Sequence, residues 1–127
     1  MNGNRGLLDS NVIIDASKGI VSVQDIVANY DDLFTSIICY VETLGYKFAD
    51  ETEKKIVKQI LENIEIIELN RDIADIAIEY RKNNKIKLPD ALVLASAKYL
   101  NADLLTSNVS DFQKIDNSVN LVVPRST

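Results

Sequence analysis

The chain is predicted to be an α/β domain, with a mostly parallel sheet of four to five strands and helices on both faces. Three observations predict it. Short apolar runs alternate with longer segments whose apolar residues recur at helical spacing. No repeat, low-complexity tract or Pro/Gly/Ser-rich linker divides the chain, and only Pro89 and Pro124 interrupt it, so one domain over residues 1–127 is expected. Apolar residues make up 46% and charged residues 26% of the 127, enough to bury a core without disulfide or metal staples.

Gly6-Leu7-Leu8 is a short apolar run that reads as a buried strand. Val12-Ile13-Ile14 continues into a helix that Asn11 could cap, and residues 22–30 form a second helix with Ser22 as its cap. Leu33-Phe34-Thr35 is the second strand, and Ile37 to Phe48 reads as a buried helix. From Glu51 to Leu61 the apolar positions Ile56, Val57, Ile60 and Leu61 keep helix spacing. Residues 64–69 are a third strand, and 70–84 an amphipathic helix with Ile73, Ile76, Ala77 and Tyr80 on one face. Pro89 suits the first turn of a helix running to about Leu100. Residues 102–106 are a fourth strand, and 119–123 a short fifth strand stopped by Pro124.

Two absences narrow the chemistry. With no histidine, Ser-His-Asp and Cys-His catalysis and His-ligated zinc are excluded. With Cys39 as the only cysteine, neither an internal disulfide nor a four-cysteine zinc site can form; set between Ile38 and Tyr40, it reads as a buried inert thiol. No window approaches a membrane span, and the N-terminus lacks the apolar run of a signal peptide, so a cytoplasmic protein without membrane contact is expected. The net charge of −5 offers no global basic footprint for nucleic acid, so such contact must be local.

Three acids stand alone in apolar segments: Asp9 within residues 6–14, Glu42 within 33–46 and Asp90 within 88–97. A carboxylate in such company shifts its pKa, finds a cation or faces a cleft. All three adjoin predicted strand ends or helix starts, where parallel α/β sheets bind ligands. Gathered in one cleft they would repel each other, a penalty that a divalent cation removes, and oxygen donors suit Mg²⁺ or Mn²⁺. After the fourth strand, Asn108 or Asp111 could complete the shell. Each has a plain structural alternative. Asp9-Ser10-Asn11 could be an Asx-turn, Asp90 a first-turn acid favoured by the helix dipole, Glu42 half of a buried ion pair, Asn108 a turn residue and Asp111 a surface acid. The densest cationic segment, Arg81, Lys82, Lys85 and Lys87, directly precedes Asp90. It reads equally as helix C-terminal charge and as a local RNA contact, whereas Lys54, Lys55 and Lys58 read as a solvated helix face.

Leu7-Leu8-Asp9-Ser10-Asn11-Val12-Ile13-Ile14-Asp15 resembles the opening motif of PIN-domain ribonucleases. Ser36 to Glu42, followed by Leu44 and Gly45, is similar to their second motif, Leu88 to Ala97 to the third, and Leu104 to Phe112 to the fourth. The likeness spans about residues 6–123, and the small size resembles the VapC-type toxins of toxin–antitoxin pairs. The resemblance implies a three-layer fold with an acidic pocket at the strand ends. It implies a Mg²⁺- or Mn²⁺-dependent endoribonuclease that cuts tRNA, rRNA or mRNA through a metal-held water, a homodimer, and a cognate antitoxin partner. By position, Asp9, Glu42 and Asp90 match the principal acids, Asn108 the fourth place with Asp111 nearby as a further catalytic acid, and Asn11 and Thr106 supporting positions. Asn108 in the fourth place leaves open whether one ion or two bind. An antitoxin groove is expected around residues 12–14 and 41–46. Three other readings compete: a catalytically silent PIN-like module binding RNA or protein, a PIN nuclease of RNA maturation, and a phosphoacceptor receiver domain. The last needs an acid pair after the first strand, an Asp after the third and a lysine after the fifth, whereas here the third strand ends in Glu68-Leu69-Asn70 and no lysine follows the fifth.

Overall fold

A computed structural model describes residues 4–127. In chain order the elements are β1 (Arg5–Leu8), α1 (Ser10–Ser17), α2 (Val23–Asn29), β2 (Asp32–Ser36), α3 (Ile37–Leu44), α4 (Glu51–Glu62) and β3 (Glu65–Ile67), then α5 (Arg71–Asn83), α6 (Leu88–Leu100), β4 (Asp103–Leu105), α7 (Val109–Gln113) and β5 (Leu121–Val122). The five strands pair in the order β3-β2-β1-β4-β5, every pairing parallel. The fold is therefore α/β around a parallel sheet, as predicted.

The strands divide their side chains between two cores by the two-residue period of extended chain. Leu7 and Leu104 enter one core with Phe34, Ile73, Ala77, Leu94 and Phe112, under α5 and α6. Their neighbours Leu8 and Leu105 enter the other with Val12, Ile13, Ile26, Val57 and Leu61, under α1, α2 and α4. Three layers follow from that alternation. At Gly6 the layers approach so closely that a Cβ would lie 3.0 Å from the Tyr30 ring.

From β1 the chain builds outward through β2 and β3, then returns to the other side of β1 for β4 and β5. The direction of winding reverses between β1 and β4. Beyond the carboxyl ends of that pair lies the crevice in which doubly wound sheets bind ligands. The amide of Asp9 donates to the Leu105 carbonyl at 2.9 Å, tying the two strand ends at its base.

Several local readings need correction. Asp9, not Asn11, caps α1: its Oδ1 accepts from the Ser10 amide at 2.8 Å. The predicted helix to Phe48 ends at Leu44, with Gly45 as its C-cap, and it is not buried throughout, because Tyr40, Val41 and Glu42 are exposed. A five-residue helix, α7, follows β4 where only a turn was expected; Phe112, 1% exposed, anchors it in the core. Of the segments expected to form an antitoxin groove, Val12 and Ile13 are core residues, while Val41 and Tyr46 are exposed. A mainly apolar cavity of about 570 Å³ lies between α2 and α4, against Val23, Val27, Ile56 and Ile60. Among the described residues no helix is long and apolar enough to cross a membrane.

Candidate functional site

Asp9 is the first residue after β1, and its carboxylate is buried at 7% exposure. A charge so placed must be met by donors. Oδ1 accepts from the Ser10 amide at 2.8 Å and faces the Cys39 Sγ at 3.9 Å. Oδ2 accepts from the Thr106 hydroxyl at 2.8 Å and the Asn11 amide nitrogen at 3.2 Å. Thr106 is the first residue after β4, so the two strand ends meet through this bond. The same network orders the next loop. Asn11 Oδ1 accepts from the Ser107 amide at 3.2 Å, and Thr106 Oγ1 from the Asn108 amide at 3.0 Å. Asn11 and Thr106 thus hold Asp9 in one orientation.

Burial still outweighs these bonds and raises the pKa of Asp9, with Asp90 and Glu42 adding repulsion. Cys39, fully buried in α3, is pushed up to about 12 by burial and by the nearby Asp9 carboxylate, so it is inert at neutral pH.

Glu42 reaches the crevice from the second turn of α3. It is exposed, and Oε1 accepts from the Ser10 hydroxyl at 2.6 Å, so the alternative of a buried ion pair does not hold. Ser10 is the residue that sequence reasoning passed over. Its amide fixes Asp9 and its hydroxyl fixes Glu42, joining two of the acids through one residue. The only signal for it in the sequence is its place after Asp9.

Asp90 lies in the first turn of α6, after Pro89. Its carboxylate accepts no hydrogen bond among the described residues. Partial burial raises its pKa, as does repulsion from Glu42 and Asp111, while Lys87 opposes the rise. Asp90 lines a cavity of about 280 Å³ with Asn108 and Asp111, so both candidates for the fourth position stand beside it. Asn108 precedes α7 without capping it through its side chain, which leaves its amide oxygen available.

The cationic segment divides. Lys85 and Lys87 line the Asp90 cavity, joined by Lys114 from the end of α7. Arg81 and Lys82 line a separate apolar groove between α5 and α6, and Lys82 pairs with Glu79 at 3.7 Å.

The donor set is all oxygen, at the topological switch point, with carboxylates close enough to oppose each other's ionisation. That chemistry fits a hard divalent cation. Among the described residues no three carboxylates stand together as a ready-made cage.

The sequence model of the PIN domain matches residues 6–118, nearly the whole span of the sheet and all the residues above. The chain belongs to the PIN-domain family. Among solved structures, this PIN domain is similar to a toxin–antitoxin complex from Klebsiella pneumoniae at 29% identity and a TM-score of 0.76, over 96% of this chain and 99% of that one. It is also similar in fold to VapBC2 of Rickettsia felis bound to a promoter DNA fragment, at 20% identity and a TM-score of 0.74 over 93% and 97% of the two chains. DNA-bound VapBC from Salmonella typhimurium is likewise similar, at 18% identity and a TM-score of 0.76 over 94% and 97%. No curated protein matches the chain.

Proposed function

We propose that this PIN domain is a Mg²⁺- or Mn²⁺-dependent endoribonuclease of the VapC type, the toxin of a toxin–antitoxin pair acting in the cytoplasm. The observation that carries the reading is the electrostatic coupling among Asp9, Glu42 and Asp90 near the switch point: burial raises the pKa of Asp9 and of Asp90, and repulsion adds to it, from Asp90 and Glu42 on Asp9 and from Glu42 on Asp90. Pocket acids that raise one another's protonation without a balancing cation are costly to keep for structure alone. Asp9, Glu42 and Asp90 would hold the ion, with Asn108 or Asp111 completing the shell. When bound, the ion supplies a Lewis acid for the phosphate and a water of lowered pKa.

The chain's own residues divide the work. Asp9, held by Ser10, Asn11 and Thr106, is the fixed acceptor at the bottom of the crevice. Ser10 keeps Glu42 on the same side. Asp90 and Asp111 are free to accept a proton from, or orient, the attacking water. The raised pKa of Asp90 suits it to the role of base.

The full-length likeness to the Klebsiella toxin–antitoxin complex supports the toxin assignment and a protein antitoxin. The groove between α2 and α4, where Val27 is 58% exposed, suits the apolar face of an antitoxin helix. The family resemblance also supports a homodimer.

Induced expression of the wild-type chain without an antitoxin should arrest bacterial growth, and expression of Asp90→Asn should not. Unimpaired growth in cells that contain active enzyme would favour a nuclease of RNA maturation.

A further inference from the structure

We propose that Lys85, Lys87 and Lys114 form a phosphate-binding rim that seats the RNA backbone beside the acids. This rests on the nuclease reading and adds to it the surface that brings a polyanion to an acidic protein.

The three lysines line one cavity with Asp90, Asn108 and Asp111. All three are exposed, and none forms an ion pair among the described residues, although two carboxylates share the cavity. Their charge is available to an anion. Lysines 85 and 87 arrive on the loop between α5 and α6, Lys114 on the far side from the end of α7. The two walls are fixed to each other. The Tyr80 hydroxyl of α5 donates to Asp116 at 2.5 Å, two residues after Lys114, and Phe112, two residues before it, is buried in the core. Asn84, just before Lys85, donates its side-chain amide to the Tyr80 carbonyl at 3.1 Å. The lysine backbones are thus set before any ligand arrives, while their side chains keep their reach.

A net charge of −5 repels RNA at a distance, but salt confines that field to about 8–10 Å, so a local cluster of three cations decides the approach. Ammonium groups bind phosphate as point charges without reading bases. The rim therefore fixes where the strand lies relative to Asp90 and leaves sequence choice to other contacts.

The test measures binding of a single-stranded RNA oligonucleotide in EDTA, so that no cleavage intervenes, from about 50 to 200 mM salt. It compares the wild type, Lys114→Gln, and the triple variant Lys85→Gln/Lys87→Gln/Lys114→Gln. A second triple variant, Lys54→Gln/Lys55→Gln/Lys58→Gln on the outer face of α4, makes the same change in net charge. The single variant is expected to bind on the order of 3- to 10-fold more weakly. The rim triple should lower the salt slope by about 2, since each phosphate that a single strand no longer has neutralised removes about 0.7. The α4 triple should keep the wild-type slope. Equal slopes for the two triples would overturn the rim; if the wild type still cleaves RNA with Mn²⁺, the nuclease reading stands without it. A wild type that neither binds nor cleaves RNA overturns both.

Discussion

Asp9→Asn is expected to lose RNA cleavage by on the order of 1,000-fold, because it removes a ligand rather than a supporting group, whose loss alone typically costs about 10–100-fold. The site's geometry explains why an isosteric amide cannot substitute. Both carboxylate oxygens act only as acceptors, toward the Ser10 amide and Cys39 thiol on one side and the Thr106 hydroxyl and Asn11 amide on the other. The amide NH₂ of an asparagine would meet one pair of donors whichever way it turned. Leaving those groups unmatched costs about 1–3 kcal/mol. Relief from burying a charge offsets part of that, so the variant stays folded. The check is single-turnover cleavage beside Mn²⁺ titration calorimetry, and both affinity and rate should fall. Cleavage within about 10-fold of wild type would remove Asp9 from the catalytic centre.

Asp90→Asn should separate stability from activity more sharply. Its carboxylate accepts no hydrogen bond among the described residues, so the amide leaves no donor unmatched; it removes the cost of burying a charge and the repulsion from Glu42 and Asp111, which together outweigh the lost attraction of Lys87. The metal-free variant should therefore melt at a higher temperature than the wild type at neutral pH, although its cleavage is lost. The sign follows from linkage. A carboxyl raised in the folded state contributes stability that is fully present below its unfolded pKa of about 4 and is lost as pH rises through the folded value. The wild type loses that contribution on going to neutral pH and the variant does not. The difference in melting temperature should grow from nothing at low pH to its full value at neutral pH. Melting curves in EDTA across that range test it; a variant less stable at neutral pH would mean that Asp90 serves the fold.

Much of this was legible in the sequence, for identifiable reasons. Parallel strands buried on both faces produce short unbroken apolar runs such as Gly6-Leu7-Leu8, and isolated acids stand out against them. The starts of α2 and α6 could be read from Ser22, which caps the one, and Pro89, which sits in the first turn of the other, because each acts locally. Strand order could not be read, since alternation of elements is the same for every winding. The length of α7 is below the two turns that periodicity needs. The exposure of Tyr40 and Val41 was not legible, because an apolar residue on an unpartnered face has the same pattern as one in a core. Ser10 and Lys114 are ordinary residues locally. Their importance comes from Glu42, 32 positions away from Ser10, and from a cavity wall that only the folded chain brings together.

The most direct test is to incubate purified, antitoxin-free protein with total cellular RNA in Mn²⁺, in Mg²⁺ and in EDTA, beside Asp9→Asn and Asp90→Asn. Discrete fragments that require the metal and vanish in both variants are the predicted result. No cleavage by folded wild-type protein in either metal, or equal cleavage by wild type and variants, would contradict the assignment of these acids to a ribonuclease centre.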